Sequence, residues 1–158
     1  MNALVIFLAQ YLVIVSGLIA VIAAVFSEKT VRNNIIKLAI LSFVIAFLVA
    51  FVAGALYYDP RPFAAGNIEP LFPHQADNGF PSDHTLIAMV ISSTVFVFRR
   101  KLGIVLGILG ILVGISRVLS HVHHPIDIVG SVFIAIVATY IAWLVLRKVD
   151  KSFRNYPS

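Results

Sequence analysis

The chain alternates long apolar runs with short polar breaks. Five runs stand out, at 3–26, 35–58, 84–98, 102–119 and 125–146. Each approaches the ~20 residues that a helix needs to cross a bilayer. The third is short and reaches across only with His84 and its neighbours in the interface. Lipid offers no partner to a free backbone N–H or C=O, so such runs fold as helices. The pattern predicts an all-α, polytopic membrane helix bundle of about five transmembrane spans, in a single domain over 1–158. The first run lacks a basic lead-in and is too long for the apolar part of a secretory leader, so it reads as a span. The fourth carries Gly103, Gly107, Gly110 and Gly114, small residues at a spacing that lets helices approach closely.

Composition agrees with lipid as the solvent. Of 158 residues, 60% are hydrophobic and only 12% charged, about half the charged share of a soluble domain. The absence of cysteine excludes disulfides and thiolate chemistry. The net charge of +5 invites a nucleic-acid reading, and its placement removes that reading. Lys29, Arg32 and Lys37 lie between runs one and two. Arg99, Arg100 and Lys101 lie between runs three and four, and Arg147, Lys148, Lys151 and Arg154 follow run five. Ten of the twelve basic residues thus share one side, which puts the N-terminus outside and the C-terminus in the cytoplasm.

The opposite side holds the chemistry. All five histidines fall there, with Arg61, Arg117, Asp59, Glu69, Asp77, Asp83 and Asp127. Three clusters supply them: "YYDPRPF" at 57–63, "FPSDHT" at 80–85 and "SRVLSHVHHPID" at 116–127. Arg61 and Arg117 offer planar forks suited to phosphate oxygens. Ser82 stands where the third run begins, as a helix N-cap, and free N–H groups at a helix start attract anions. His123 and Asp127 are four apart, a spacing that brings side chains together on one helix face. Pro125 between them suits a first helical turn. An aspartate on one ring nitrogen leaves the other basic and free to attack, and His84 is then a second histidine for acid–base work. Two arginines, a helix start and two histidines make a site for phosphoryl transfer.

These clusters resemble the signature of the type 2 phosphatidic acid phosphatase superfamily: Lys-x6-Arg-Pro, Pro-Ser-Gly-His and Ser-Arg-x5-His-x3-Asp. The third motif is intact as Ser116, Arg117, His123 and Asp127. The second reads Pro81-Ser82-Asp83-His84, with Asp in place of Gly. The first keeps Arg61-Pro62 but has Gly54 where the lysine belongs, and no lysine occurs between 38 and 100. Within the superfamily, "PRPF", "PHQAD" and "FPSDHT" are most similar to the bacitracin-resistance type of undecaprenyl-diphosphate phosphatase.

The resemblance implies a lipid phosphatase acting on a polyprenyl diphosphate in the bilayer, without metal or cofactor. It implies His123 as the nucleophile that forms a phosphohistidine, Asp127 as its orienting partner and His84 as general acid and base. Arg61, Ser82 and Arg117 would hold phosphate oxygens. Asp83 is placed among them, bound to a water or an arginine. His121 and His124 have no role in the resemblance and are read as interface residues. The expected substrate is undecaprenyl diphosphate, hydrolysed on the outer face of the cell membrane. Two alternatives stay open: a phosphatase for another lipid, such as phosphatidylglycerophosphate, and a metal-binding transporter built on "HVHH". The second is disfavoured by spans that carry few polar residues beyond Ser and Thr.

Overall fold

The computed structural model of the chain describes residues 2–66 and 68–154. Its elements are α1 (Asn2–Val25), α2 (Lys29–Leu56), α3 (Pro62–Ala65), α4 (Asp83–Phe98), α5 (Arg100–Leu119) and α6 (Pro125–Val149). A 3-10 turn, Lys151–Phe153, follows. Among the described residues no strand forms, and a single bridge pairs Pro60 with Asn78. Four helices, α1, α2, α5 and α6, are long and apolar enough to cross a membrane, while α4 has 16 residues. The five apolar runs therefore all become helices.

Two boundaries differ from the pattern. Helix α2 begins at Lys29, six residues before its apolar run, because Lys, Arg and Asn still build its first turns. Buried Asn34 is held there: its Nδ2 donates to Ser152 O at 3.3 Å and its Oδ1 accepts from Ser152 Oγ at 2.8 Å. At the other end α2 stops at Leu56, ahead of the two tyrosines. There Asn78 Nδ2 donates to Gly54 O (2.9 Å) and Tyr57 O (3.0 Å), taking up carbonyls that a continuing helix would have used.

Helix α4 is the hub, packing against α1, α2, α5 and α6, whereas α1 barely meets α2 and α5 barely meets α6. Small residues take much of the inward faces: Ala9, Ser16, Ala46, Ala50, Ala88, Ala135, Ala138 and Ala142 are buried, beside larger ones such as Leu38, Leu86 and Leu106. Large side chains such as Phe7, Leu18, Leu48, Phe51, Ile108 and Phe133 point outward. This inversion fits helices that pack by close contact in an apolar solvent rather than by hydrophobic collapse. The glycines of α5 pack closely, Gly103, Gly107 and Gly110 against α4 and Gly114 against α6. A Cβ at Gly103 would strike Phe96 and one at Gly114 would strike Ile128.

The basic junctions converge at one end. Arg99 Nη2 donates to Ser27 Oγ at 2.8 Å, joining the α4–α5 and α1–α2 connections, and Lys37 pairs with Asp150 at 2.7 Å. A cleft of about 630 Å³ opens toward this end between α4, α5 and α6, lined by Met89, Phe96, Arg100, Ile136 and Trp143. The start of α4, the end of α5 and the start of α6 meet at the other end, with the 57–82 segment folded over them.

Candidate active site

The site is assembled around His123, which sits in the tight α5–α6 turn and is 2% exposed. Its Nδ1 lies 3.1 Å from Asp127 Oδ2. Its Nε2 faces Arg61 Nη1 at 3.1 Å and Arg117 Nη2 at 3.3 Å. A guanidinium only donates, so Nε2 accepts and the proton resides on Nδ1, where it donates to the carboxylate. Burial, the first cause, and the two arginines lower the His123 pKa below the usual imidazole value, while Asp127 pulls it back up. The ring is thus a neutral imidazole with its lone pair directed between two cations.

Asp127 owes its place to the local sequence. Pro125 starts α6, His124 is the N-cap, and Asp127 is the third helical residue. Its Oδ2 also accepts the His124 N–H at 2.9 Å, the reach-back of a helix cap. The N-terminal end of α6 favours its negative charge. Gly79 packs against it so closely that a Cβ there would lie 3.0 Å from Oδ2. Its second oxygen, Oδ1, is buried without a hydrogen-bond partner.

Each arginine is aimed from several sides. Arg61 donates through Nε to Asp77 Oδ1 at 2.6 Å and through Nη1 to Val122 O at 2.8 Å. Asp77 is more than half exposed, so the ion pair adds little stability. Its effect is to fix the direction of the fork. Burial would raise the Asp77 pKa, but the hydrogen bond and charge of Arg61 outweigh it and hold the carboxyl below its usual range. Arg117, in the last turn of α5, donates through Nη2 to His74 Nε2 at 2.7 Å and lies 5.4 Å over the Phe72 ring. His74 meets the His123 ring edge-on, with centroids 6.2 Å apart. Burial and then the two arginines lower its pKa, so His74 is a neutral acceptor.

The remaining expected residues fall nearby in different states. His84, in the first turn of α4, is half-buried and within electrostatic reach of Arg117, His123, His74 and Arg61. Ser82 is the N-cap of α4, but its hydroxyl makes no cap bond. It is fully buried and accepts from Thr85 Oγ1 at 3.2 Å. Asp83 stays exposed, and its carboxylate acts on Arg117 through space, with no hydrogen bond to it among the described residues. Gly54 lies under the loop: a Cβ there would point at Phe80 O, 3.0 Å away.

Several residues of the site were not singled out from sequence. Asn78 is the knot of the covering loop, since its Oδ1 also accepts from Asp59 N and Phe80 N, both at 3.0 Å. His124 is not a free interface residue, for its Nδ1 donates to Asp59 Oδ2 at 3.2 Å. His121 turns away to Glu69 O at 3.1 Å, on a backbone with φ of 60°. The three histidines of "HVHH" therefore take three separate partners and do not converge. Asp59, His124 and Asp127 do converge, each bringing a polar atom within 4.8 Å of the others. The nearness of Asp59 and Asp77 to Arg61 in "DPRPF" and "PHQAD" was the available signal.

A neutral, oriented imidazole beneath two guanidinium forks at a helix start can attack an electrophilic phosphorus and hold its oxygens. Comparison with known proteins points the same way. Residues 35–151 match the PAP2 superfamily. The undecaprenyl-diphosphatase BcrC of Bacillus subtilis is 31% identical over 141 residues, covering 89% of this chain and 72% of that one. The bacitracin transport permease protein BcrC of Bacillus licheniformis is 33% identical over 146 residues, covering 90% and 71%. The crystal structure of Aquifex aeolicus LpxE shares the fold, with a TM-score of 0.73 over 90% of this chain and 86% of that one at 20% identity. The chain belongs to the PAP2 superfamily, as a membrane-embedded hydrolase of lipid phosphates.

Proposed function

We propose that the protein removes the terminal phosphate of undecaprenyl diphosphate at the outer face of the cell membrane. Undecaprenyl phosphate returns to cell-wall synthesis. The observation that carries this reading is the geometry of His123, with Asp127 on one nitrogen and Arg61 and Arg117 at the other. The name of the Bacillus subtilis relative supports the choice of lipid. The gathering of basic residues at the opposite end supports the outward orientation.

In this mechanism the diphosphate enters among the forks, and Arg61 and Arg117 turn from Nε2 onto its oxygens. The lone pair of His123 Nε2 forms a bond to the terminal phosphorus as the bond to the bridging oxygen breaks. His84 gives its proton to the departing lipid phosphate. Asp127 stabilises the positive ring that results, as the orienting partner of a nucleophile does. Water then attacks the phosphohistidine, His84 takes a proton from it, and inorganic phosphate leaves. The arginines and the N–H groups at the start of α4, where Ser82 stands, meet the charge that develops on the phosphoryl oxygens. Asp83 moderates the field at Arg117.

The test is to trap the intermediate with undecaprenyl diphosphate labelled in its terminal phosphate. Label that survives alkali and is lost in acid is expected on the wild-type protein and absent from His123→Ala. Undiminished label in His123→Ala would remove the nucleophile. A clear preference for phospholipid monoesters would remove the substrate.

A further inference from the structure

Behind His123 and Asp127 lies a second carboxyl that the mechanism above does not use. Asp59 stands two residues before Arg61, and its backbone is pinned on both sides. Its N–H donates to Asn78 Oδ1 at 3.0 Å and its carbonyl accepts from Gly79 N at 2.8 Å. Its side chain is largely covered and lies against His124 and Asp127. Both known bonds to Asp127 go to Oδ2, and Oδ1 has no donor although it is buried. A buried oxygen without a donor is costly, and two ionised carboxylates at this separation repel.

We propose that Asp59 works as a carboxylic acid, sharing one proton with Asp127 and thereby fixing the carboxylate that orients His123. This rests on the phosphohistidine reading. One proton between the two groups removes the repulsion and supplies the missing donor to Oδ1. It belongs on Asp59. Asp127 already accepts from His123 Nδ1 and His124 N and sits at the start of α6, all of which favour its anion. Among the described residues, the Asp59 carboxyl accepts only from the His124 ring. The titratable groups that face Asp59 are Asp127 and His124. Burial and Asp127 raise the Asp59 pKa, and His124 opposes them. With both oxygens of Asp127 engaged, the carboxylate cannot rotate away from His123 Nδ1. Asp59 is thus a positioning residue, acting on the nucleophile through Asp127.

The test compares wild type, Asp59→Asn and Asp59→Ala in detergent micelles with undecaprenyl diphosphate, with kcat and KM followed across a broad pH range. An amide in place of the acid still donates to Oδ1 but does not titrate. Asp59→Asn should keep kcat within about threefold of wild type, and Asp59→Ala should lose roughly tenfold in kcat with KM unchanged. Wild-type kcat should fall as pH rises through the raised Asp59 pKa, and that fall should vanish in Asp59→Asn. A turnover-free check uses ¹⁵N-labelled histidine. The hydrogen-bonded Nδ1 proton of His123 should persist in Asp59→Asn and weaken in Asp59→Ala. Equal losses in both variants, or the same fall with rising pH in wild type and Asp59→Asn, would overturn the proposal. So would loss of wild-type activity to a chelator with recovery on adding a divalent cation, which would put a cation where the proton is placed. If instead His123→Ala stays active, the phosphohistidine reading fails, while the NMR contrast still judges the Asp59–Asp127 bond.

Discussion

Arg61 and His123 are 62 residues apart in the chain, yet Nη1 of the first meets Nε2 of the second at 3.1 Å. The same Nη1 also donates to Val122 O, and Nε is tied to Asp77. Arg61→Lys keeps the charge but cannot make these bonds together, because an ammonium lacks the planar fork. Phosphate release should fall by roughly tenfold or more. Wild-type rates in this variant would reduce Arg61 to an anchor of the covering loop.

The roles proposed for His84, as acid and base, and for His123, as nucleophile, are separable by leaving group. Cleaving a diphosphate expels a phosphate monoester, whose pKa is about 6. Cleaving an alkyl monophosphate expels an alkoxide, nearer the ~15.7 of water. A general acid matters more for the poorer leaving group. In His84→Ala, single-turnover phosphoenzyme formation should therefore fall less with a diphosphate lipid than with an alkyl monophosphate. Equal losses would leave His84 as a phosphate ligand rather than an acid.

The pH dependence of kcat/KM has a predictable acid side. The proposed attack needs a neutral His123, whose pKa is lowered by burial and by the arginines. Activity should be present at neutral pH and lost as pH falls through a value below the usual ~6.5 of imidazole. The neutral ring's share of stability should disappear over the same window. Asp127→Asn removes the group that pulls this pKa up, so its residual activity should show an acid limb at still lower pH. A limb displaced upward would contradict the electrostatics of the site.

Orientation is open to a direct chemical test, since the chain has no cysteine of its own. Gln75 in the covering loop and Lys101 at the α4–α5 junction are both exposed and lie at opposite ends of the bundle. Gln75→Cys should react with an impermeant thiol reagent in intact cells, and Lys101→Cys should react only after permeabilisation. The reverse pattern would place the site in the cytoplasm.

The apolar runs gave the helices almost residue by residue where lipid alone decides, as in α1, α5 and α6. They failed at Lys29–Asn34, where helix continues on polar residues because Asn34 finds a partner 118 residues away in Ser152. The three motifs bring His123, Asp127, Arg61, Arg117 and His84 into one cluster. What they did not convey was the covering loop. Asn78 makes four side-chain hydrogen bonds there, but a lone asparagine in a polar stretch carries no periodicity and no motif. His74 and Asp77 stood in "PHQAD", but nothing there showed which arginine each one meets, Arg117 for the first and Arg61 for the second. Ser82 shows the opposite limit. Its N-cap position was legible, but the partner of its hydroxyl, Thr85, depended on burial.

The hydrogen bonds from Arg61 and Arg117 to His123 Nε2 also bear on the proposed attack. A lone pair that is accepting two cationic donors is a poor nucleophile, so in the proposed mechanism these bonds act as a safety catch on the imidazole. Only a ligand that competes for both forks at once can release it, and a doubly charged phosphoryl group is such a ligand. Neutral electrophiles passing through the membrane interface would meet a sheathed ring. Under the proposed mechanism, selectivity for phosphate would then lie in the arming of the nucleophile as well as in the binding of the substrate.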